Sequence, residues 1–263
     1  MNKFKPHINV TYPPNNHLTF EEWFSQRYDE RLERVYLDVF WTSYFVNNSY
    51  PQTAAEVPHL QRFVDELDRS KKYFTIVQYD LGCLVDFRDL DILIFNMSQN
   101  NGYPLPLIGQ PHPYKFNEPK EYVANFIGTK THPIREYAES YRLFNGYYVS
   151  FDYHNPEKFC SIISKSLFTL CFRGFGANSF RICEALQYGS IPVYISDEFI
   201  EPHNIPFEEY GVKIHAEDAH RVPRILENIS PLEIIEKQER GKETYEQYYT
   251  YEGCYKMIIQ ALC

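Results

Sequence analysis

The chain has 263 residues, with 35 Asp and Glu against 26 Lys and Arg, and a formal net charge of −9 at pH 7. That balance, with no long basic run, argues against nucleic acid or an anionic membrane surface as the main partner. The length allows one large domain or two small ones, either able to build a real core. No apolar run approaches the ~18 residues of a membrane-spanning helix, and the N-terminus lacks the charged, apolar and small-residue order of a signal peptide. A soluble, cytoplasmic protein with no membrane span is the expectation. Cys83, Cys160, Cys171, Cys183, Cys254 and Cys263 form no C-x-x-C pair. Buried free thiols in a reducing compartment, and no zinc site, are therefore expected.

In chain order, residues 17–32 read as an amphipathic helix entered at Thr19, with Glu22 completing a capping box. Residues 35–45 read as a strand. Residues 58–70 form a helix with Leu60, Phe63, Val64 and Leu67 on one face. Strands follow at 73–79, 90–96 and 122–127, then a helix over 132–143. Asn145-Gly146 marks a turn. A strand at 147–151 and a helix at 156–166 lead into residues 168–197, which carry the most information. Beyond them a strand at 209–214, a helix at 219–229 and a long helical tail over 231–262 complete the chain. The alternation of strands and helices argues for parallel sheets, divided into an N-terminal half, 1–143, and a C-terminal half, 144–263.

Residues 168–197 read F-T-L-C-F-R-G-F-G-A-N-S-F-R-I-C-E-A-L-Q-Y-G-S-I-P-V-Y-I-S-D. Phe168 to Phe172 is a short apolar run suited to a buried strand. Gly174 and Gly176 allow a tight turn and a close approach of backbone N–H groups to a ligand. Asn178 or Ser179 then caps a helix. Ile182, Ala185, Leu186 and Gly189 share one helical face, which packs on the sheet and leaves Arg181, Glu184 and Tyr188 on another. A helix start after a parallel strand is an anion site, and Arg173 can clamp phosphate oxygens. Glu184 can accept hydrogen bonds from two adjacent ribose hydroxyls. The plainer alternative makes Arg181 and Glu184 an i,i+3 surface pair.

The whole string resembles the exostosin-like glycosyltransferases. Their pattern, roughly R-G-x-G-x-x-S-x-R-x-x-E-A-L-x-x-G-x-I-P-V-x-x-S-D, is met at Arg173, Gly174, Gly176, Ser179, Arg181, Glu184, Ala185, Leu186, Gly189, Ile191, Pro192, Val193, Ser196 and Asp197. The resemblance implies an α/β GT-B fold. In that fold two Rossmann-like halves face a cleft, the C-terminal half binds the nucleotide-sugar, and the last helix packs back on the N-terminal half. It also implies an inverting transferase moving a sugar from a UDP-sugar to a hydroxyl of a glycan acceptor. Xylose or galactose is the guess for the sugar, with no cofactor beyond the donor itself. On this resemblance the segment F-I-G-T-K-T-H-P-I-R, with Gly128, Lys130 and Arg135, lies across the cleft as a second basic clamp. The alternative there is a turn capped by surface cations.

An inverting transfer needs a base for the acceptor hydroxyl and groups that stabilise the departing diphosphate. Gln78 to Gly82 resembles the family's H-D-x-G element. Asp80, just past a strand's carboxyl end, is the first candidate base; His112 in G-Q-P-H-P is the second and Asp86 the third. Both leading candidates also have ordinary readings, as a turn aspartate and a structural loop histidine. Asp89-Leu90-Asp91 is a D-x-D, which in GT-A enzymes binds a metal. Here it precedes an apolar strand instead of following one, so a surface turn is expected and metal-independent chemistry with it. Two rivals stay open: a non-catalytic nucleotide-sugar or glycan-binding member of the same fold, and an unrelated dinucleotide enzyme. The latter lacks both a G-x-G-x-x-G and a ribose-binding acid at the next strand's end.

Overall fold

The computed structural model describes residues 3–4, 18–28, 32–109 and 111–263. It divides into two compact units. The first is Met1–Gln110 with Tyr251–Cys263, and the second is Pro111–Thr250. The expected division at 143/144 therefore moves to 110/111. The reason is strand pairing: the strand Tyr122–Ile127 bonds directly to Tyr147–Ser150 and Ser166–Phe172 and cannot belong to another sheet.

In the first unit the strands are β1 (Lys3–Phe4), β2 (Val35–Tyr36), β3 (Asp38–Val39), β4 (Tyr73–Val77), β5 (Ile92–Asn96) and β6 (Tyr103–Pro104). A four-stranded sheet runs β2-β4-β5-β6, all its pairings parallel, and β1 pairs with β3 separately. Every residue of β4 is buried, as expected of a parallel strand covered on both faces. Helix α1 (Phe20–Arg27) starts at Thr19 with the full capping box to Glu22. It is shorter than the 17–32 expected; residues 17 and 29–31 lie outside the described residues. Helix α3 (Pro58–Asp65) ends earlier than 70, yet Leu60, Val64 and Leu67 are buried as its spacing requires.

The expected strand over 35–45 stops at Val39, and the chain turns into helix α2 (Trp41–Asn47). Trp41 and Phe45, spaced i, i+4 and both fully buried, are the helical signal hidden in that apolar run. The Trp41 indole N–H donates to Thr75 Oγ1 at 2.8 Å, so a tertiary contact on β4 fixes the turn.

The expected long tail breaks after Tyr248, and the C-terminal helix (Tyr251–Leu262) belongs to the first unit. Its Tyr251 and Tyr255 pack on Phe20, Trp23 and Phe24 of α1 at ring separations of 5.3–6.3 Å. Tyr251 also donates its hydroxyl to Leu18 O at 2.7 Å.

The second unit holds β7 (Tyr122–Ile127), β8 (Tyr147–Ser150), β9 (Ser166–Phe172), β10 (Ile191–Ile195) and β11 (Val212–Ile214). Their order is β11-β10-β9-β7-β8, parallel throughout. Helices α4 (Tyr137–Tyr141), α5 (Pro156–Ser164), α6 (Phe180–Gln187), α7 (Val222–Glu227) and α8 (Pro231–Tyr248) accompany the sheet. Phe126, Leu170, Phe172, Val193 and Ile195 form its core with Ile134, Tyr141 and Leu226. Two parallel-sheet α/β units, with the final helix counted in the first, constitute the expected GT-B class.

The strand order fixes where a ligand can bind in the second unit. From β7 the chain moves outward to β8, then returns to the other side of β7 as β9. The loops leaving β7 and β9 therefore diverge. In open parallel sheets such a reversal opens a crevice at the carboxyl ends of the two strands.

Candidate functional site

The loops at that crevice are 128–132, after β7, and 173–179, after β9. Ser179 is the N-cap of α6, its hydroxyl accepting from Arg181 N. Asn178 does not cap. Its amide ties the loop to residue 200, accepting from Ile200 N and donating to Ile200 O, both at 3.1 Å. Gly174 leaves room for Arg135: a Cβ there would come 3.2 Å from Arg135 Nη2, which would have to shift by a few tenths of an ångström. Gly128 meets the Phe126 ring in the same way, at 3.1 Å.

Three guanidinium groups gather here. Arg135 donates to the carbonyls of Arg173 at 2.7 Å, Thr129 at 2.9 Å and Phe172 at 3.3 Å, which stitches the two loops together. Arg181 donates from Nε to Ile127 O at 3.0 Å, at the end of β7, and lies over the Phe159 ring. Arg173 ion-pairs with Glu198 and donates to Phe175 O at 3.1 Å. Burial, and after it the like charge of Arg181, lowers Arg135 to about 10. The Arg173 Nε and the Thr131 hydroxyl are buried without a hydrogen-bond partner. An unpaired buried donor costs about 1–3 kcal/mol. Two of the three guanidinium groups carry carboxylate partners, Glu198 and Glu184, so the excess positive charge of the cluster rests with Arg135.

The basic segment 126–135 does not come from a facing half. β7 lies beside β9 in one sheet, so Gly128 and Arg135 join the crevice from the neighbouring strand. Lys130 stays outside it. Its amine pairs with Glu139 at 3.1 Å and lies 4.9 Å from the Phe151 ring centre, which is the surface-cation alternative. Glu198 and Thr131 escaped sequence reasoning. Glu198 follows the Ser196-Asp197 pair directly, and Thr131 stands in the quoted basic segment. Asp197 itself accepts from Ala216 N at 3.0 Å and contacts His215, anchoring the next turn.

Glu184 is not the unencumbered acceptor its place on the helical wheel suggests. Arg181 binds one carboxylate oxygen and His112 Nε2 stands 3.6 Å from the other. Burial works to raise its pKa, but Arg181 and His112 outweigh it and hold the carboxyl below its usual range. His112 belongs to the second unit, where its backbone is clamped by Gln187: His112 N donates to Gln187 Oε1 at 3.2 Å, and Gln187 Nε2 to His112 O at 2.8 Å. The Cys160 side chain and the Glu184 carboxylate beside the ring push His112 up to about 9. The Glu184 carboxylate facing Nε2 favours the protonated imidazole, the form that acts as an acid and not as a base.

The other acidic candidates lie in the first unit. Asp80 follows β4 at its carboxyl end, in a turn closed by Gly82 N donating to Tyr79 O at 3.0 Å. Its backbone carbonyl accepts from Gln99. Gln78 is buried scaffold, bonded to Phe20 N at 3.1 Å and Ile108 O at 2.7 Å. Asp86 Oδ1 accepts from Arg88 N at 2.8 Å, as a turn aspartate does. Asp89 pairs with Arg69, and Asp91 with Arg34 at 2.6 Å, both ahead of β5. They thus stand at the amino end of the strand, away from the carboxyl edge where sites form.

A strand-order reversal in a parallel α/β sheet is the edge at which such folds form their binding crevices. The Exostosin GT47 domain matches residues 96–229, just over half of the chain, and the chain belongs to that family. It is 36% identical over 86 residues to a probable glucuronosyltransferase of Oryza sativa subsp. japonica, covering 32% of this chain and 20% of that protein. It is 34% identical over 88 residues to a probable beta-1,4-xylosyltransferase of Arabidopsis thaliana, 33% of this chain and 21% of that one. An Exostosin-1 homolog of Caenorhabditis elegans is 29% identical over 99 residues, 37% of this chain and 26% of that one. The matches thus span a fifth to a quarter of these relatives' lengths. Among solved structures, TarM aligns with a TM-score of 0.45 at 9% identity, over 80% of this chain and 53% of that one. The glycosyltransferase AviGT4 aligns at 0.42 and 9%, over 80% and 77%.

Proposed function

We propose that the protein is an inverting glycosyltransferase that moves a sugar from a UDP-sugar to a hydroxyl of a glycan acceptor. The observation that carries this is the convergence of Arg135, Arg173 and Arg181 on the crevice between β7 and β9, with the Arg173 Nε and Thr131 Oγ1 buried and unpaired. Family membership and the glucuronosyl- and xylosyltransferase names of the relatives support the same reading.

In this mechanism the diphosphate lies at the crevice. Its growing charge, as the glycosidic bond breaks, is met by the Arg173 guanidinium, the Thr131 hydroxyl and the start of α6 at Ser179. Arg135 acts by holding the two loops together while adding its charge. Glu184 takes the ribose hydroxyls. Asp80, at the carboxyl end of β4 in the first unit, is the proposed base that removes the acceptor proton. No metal is assigned a role, since the guanidinium groups supply the positive charge that a D-x-D metal supplies elsewhere.

The test is UDP release from a panel of UDP-sugars, with xylose and galactose donors included, in the presence of oligosaccharide acceptors and excess EDTA. Turnover that persists in EDTA and falls by a factor of about 100 or more in Asp80→Asn is the expected result. Near-wild-type kcat in Asp80→Asn removes that residue from the role. Neither turnover nor thermal stabilisation by any donor removes the transferase reading. Stabilisation without turnover favours a nucleotide-sugar-binding protein.

A further inference from the structure

We infer that His112 is a positioning residue for the ribose of the donor nucleotide: it fixes the Glu184 carboxylate so that a lone pair on each oxygen is left for adjacent hydroxyls. The inference rests on the nucleotide-sugar reading above and goes one residue beyond it.

Each Glu184 oxygen has its own cation, Arg181 on Oε2 and His112 on Oε1. A surface i,i+3 pair needs only the first. The second comes from a segment 72 residues earlier in the chain (184 − 112), fastened to α6 by the two-way Gln187 bonds one helical turn beyond Glu184. Phe159 of α5 backs both cations: the His112 ring meets it edge-on at 6.0 Å and the Arg181 guanidinium lies 4.5 Å from its centre. Three segments thus converge on one carboxylate whose side chain keeps 17% of its surface exposed. A carboxylate offers about four lone-pair sites, and at least two remain beside the Arg181 hydrogen bond and the 3.6 Å ion-pair contact of His112. Freezing the side chain beforehand removes an ordering cost that a ligand would otherwise bear.

The groups facing His112 are Glu184 and, beyond it, Arg181 on α6, with Cys160 on α5. Tyr188, whose hydroxyl lies against Cys160, completes this surrounding. Burial opposes the imidazolium but is outweighed by Cys160 and Glu184.

The test compares UDP with 2′,3′-dideoxy-UDP, which offers no ribose hydroxyls, by calorimetry on the whole chain. Wild-type protein is expected to prefer UDP by about tenfold or more, and His112→Ala to lose about tenfold in UDP affinity while binding the dideoxy compound unchanged. Gln187→Ala, which keeps the imidazole but loosens its loop, is expected to show the same selective loss at about threefold. The wild-type preference should fade as pH rises through about 9, and the His112→Ala preference should not. Equal weakening of both ligands, or none, overturns the proposal. Equal wild-type affinity for both ligands overturns the ribose site and leaves the donor reading intact. Failure of wild-type protein to bind UDP removes both together.

Discussion

Glu21 and His112 are both displaced upward from their ordinary range, for different reasons. Glu21 is fully buried, and desolvation pushes its carboxyl up to about 8 despite hydrogen bonds from Gln78 N and from Thr42 through both its backbone and its hydroxyl. Its folded pKa exceeds the unfolded one, so its favourable contribution is complete below pH 4.5 and lost as pH rises through about 8. Glu21→Gln keeps an oxygen acceptor for the same donors and is expected to flatten the fall of Tm between pH 4.5 and 8, as measured by circular dichroism. His112 is raised instead by contacts with Cys160 and Glu184. Its contribution is complete below pH 6.5 and fades through about 9, so His112→Gln should remove that upper window and, by releasing Glu184, weaken the acid-side one as well. Arg173 carries the diphosphate side of the proposal. Arg173→Ala is expected to lower kcat/KM by about 100-fold, whereas Lys130→Ala, whose amine is turned to Glu139, should change it by less than about threefold.

At the scale of elements, the loops after β7 and β9 are held by backbone carbonyls that accept from Arg135. Gly174 gives that side chain its room. Gly174→Ala is expected to fold, with about 1 kcal/mol or less lost in chemical denaturation, while donor affinity falls several-fold because Arg135 must shift. Helix α2 shows the converse, an element decided by packing. Trp41 is fully buried and bonded to Thr75, so Trp41→Ala is expected to cost about 3–5 kcal/mol and to be read as a lower denaturation midpoint.

At the scale of the whole molecule, the last helix returns to the first unit, placing Tyr251 and Tyr255 on the aromatic face of α1. Removing residues 251–263 uncovers Phe20 and Phe24, both fully buried in the intact chain. The truncated protein is expected to melt at a lower temperature and to bind a hydrophobic dye.

The strand and helix alternation, the Thr19–Glu22 capping box, the β9–α6–β10 motif and its arginines were all legible in the sequence. They depend on local periodicity, caps and glycine placement, which a linear string records. Three matters were decided only in three dimensions. The basic segment 126–135 joined the crevice from the adjacent strand because sheet order is set by long-range pairing. His112 became a partner of Glu184 because a loop far back in the chain is clamped to α6 by Gln187. Glu21 became a buried acid because α2 and the end of β4 close over it. Residue type and spacing thus determined which side chains carry the chemistry; the tertiary structure decided which of them meet, since only packing sets solvent exposure and distance between residues remote in the chain.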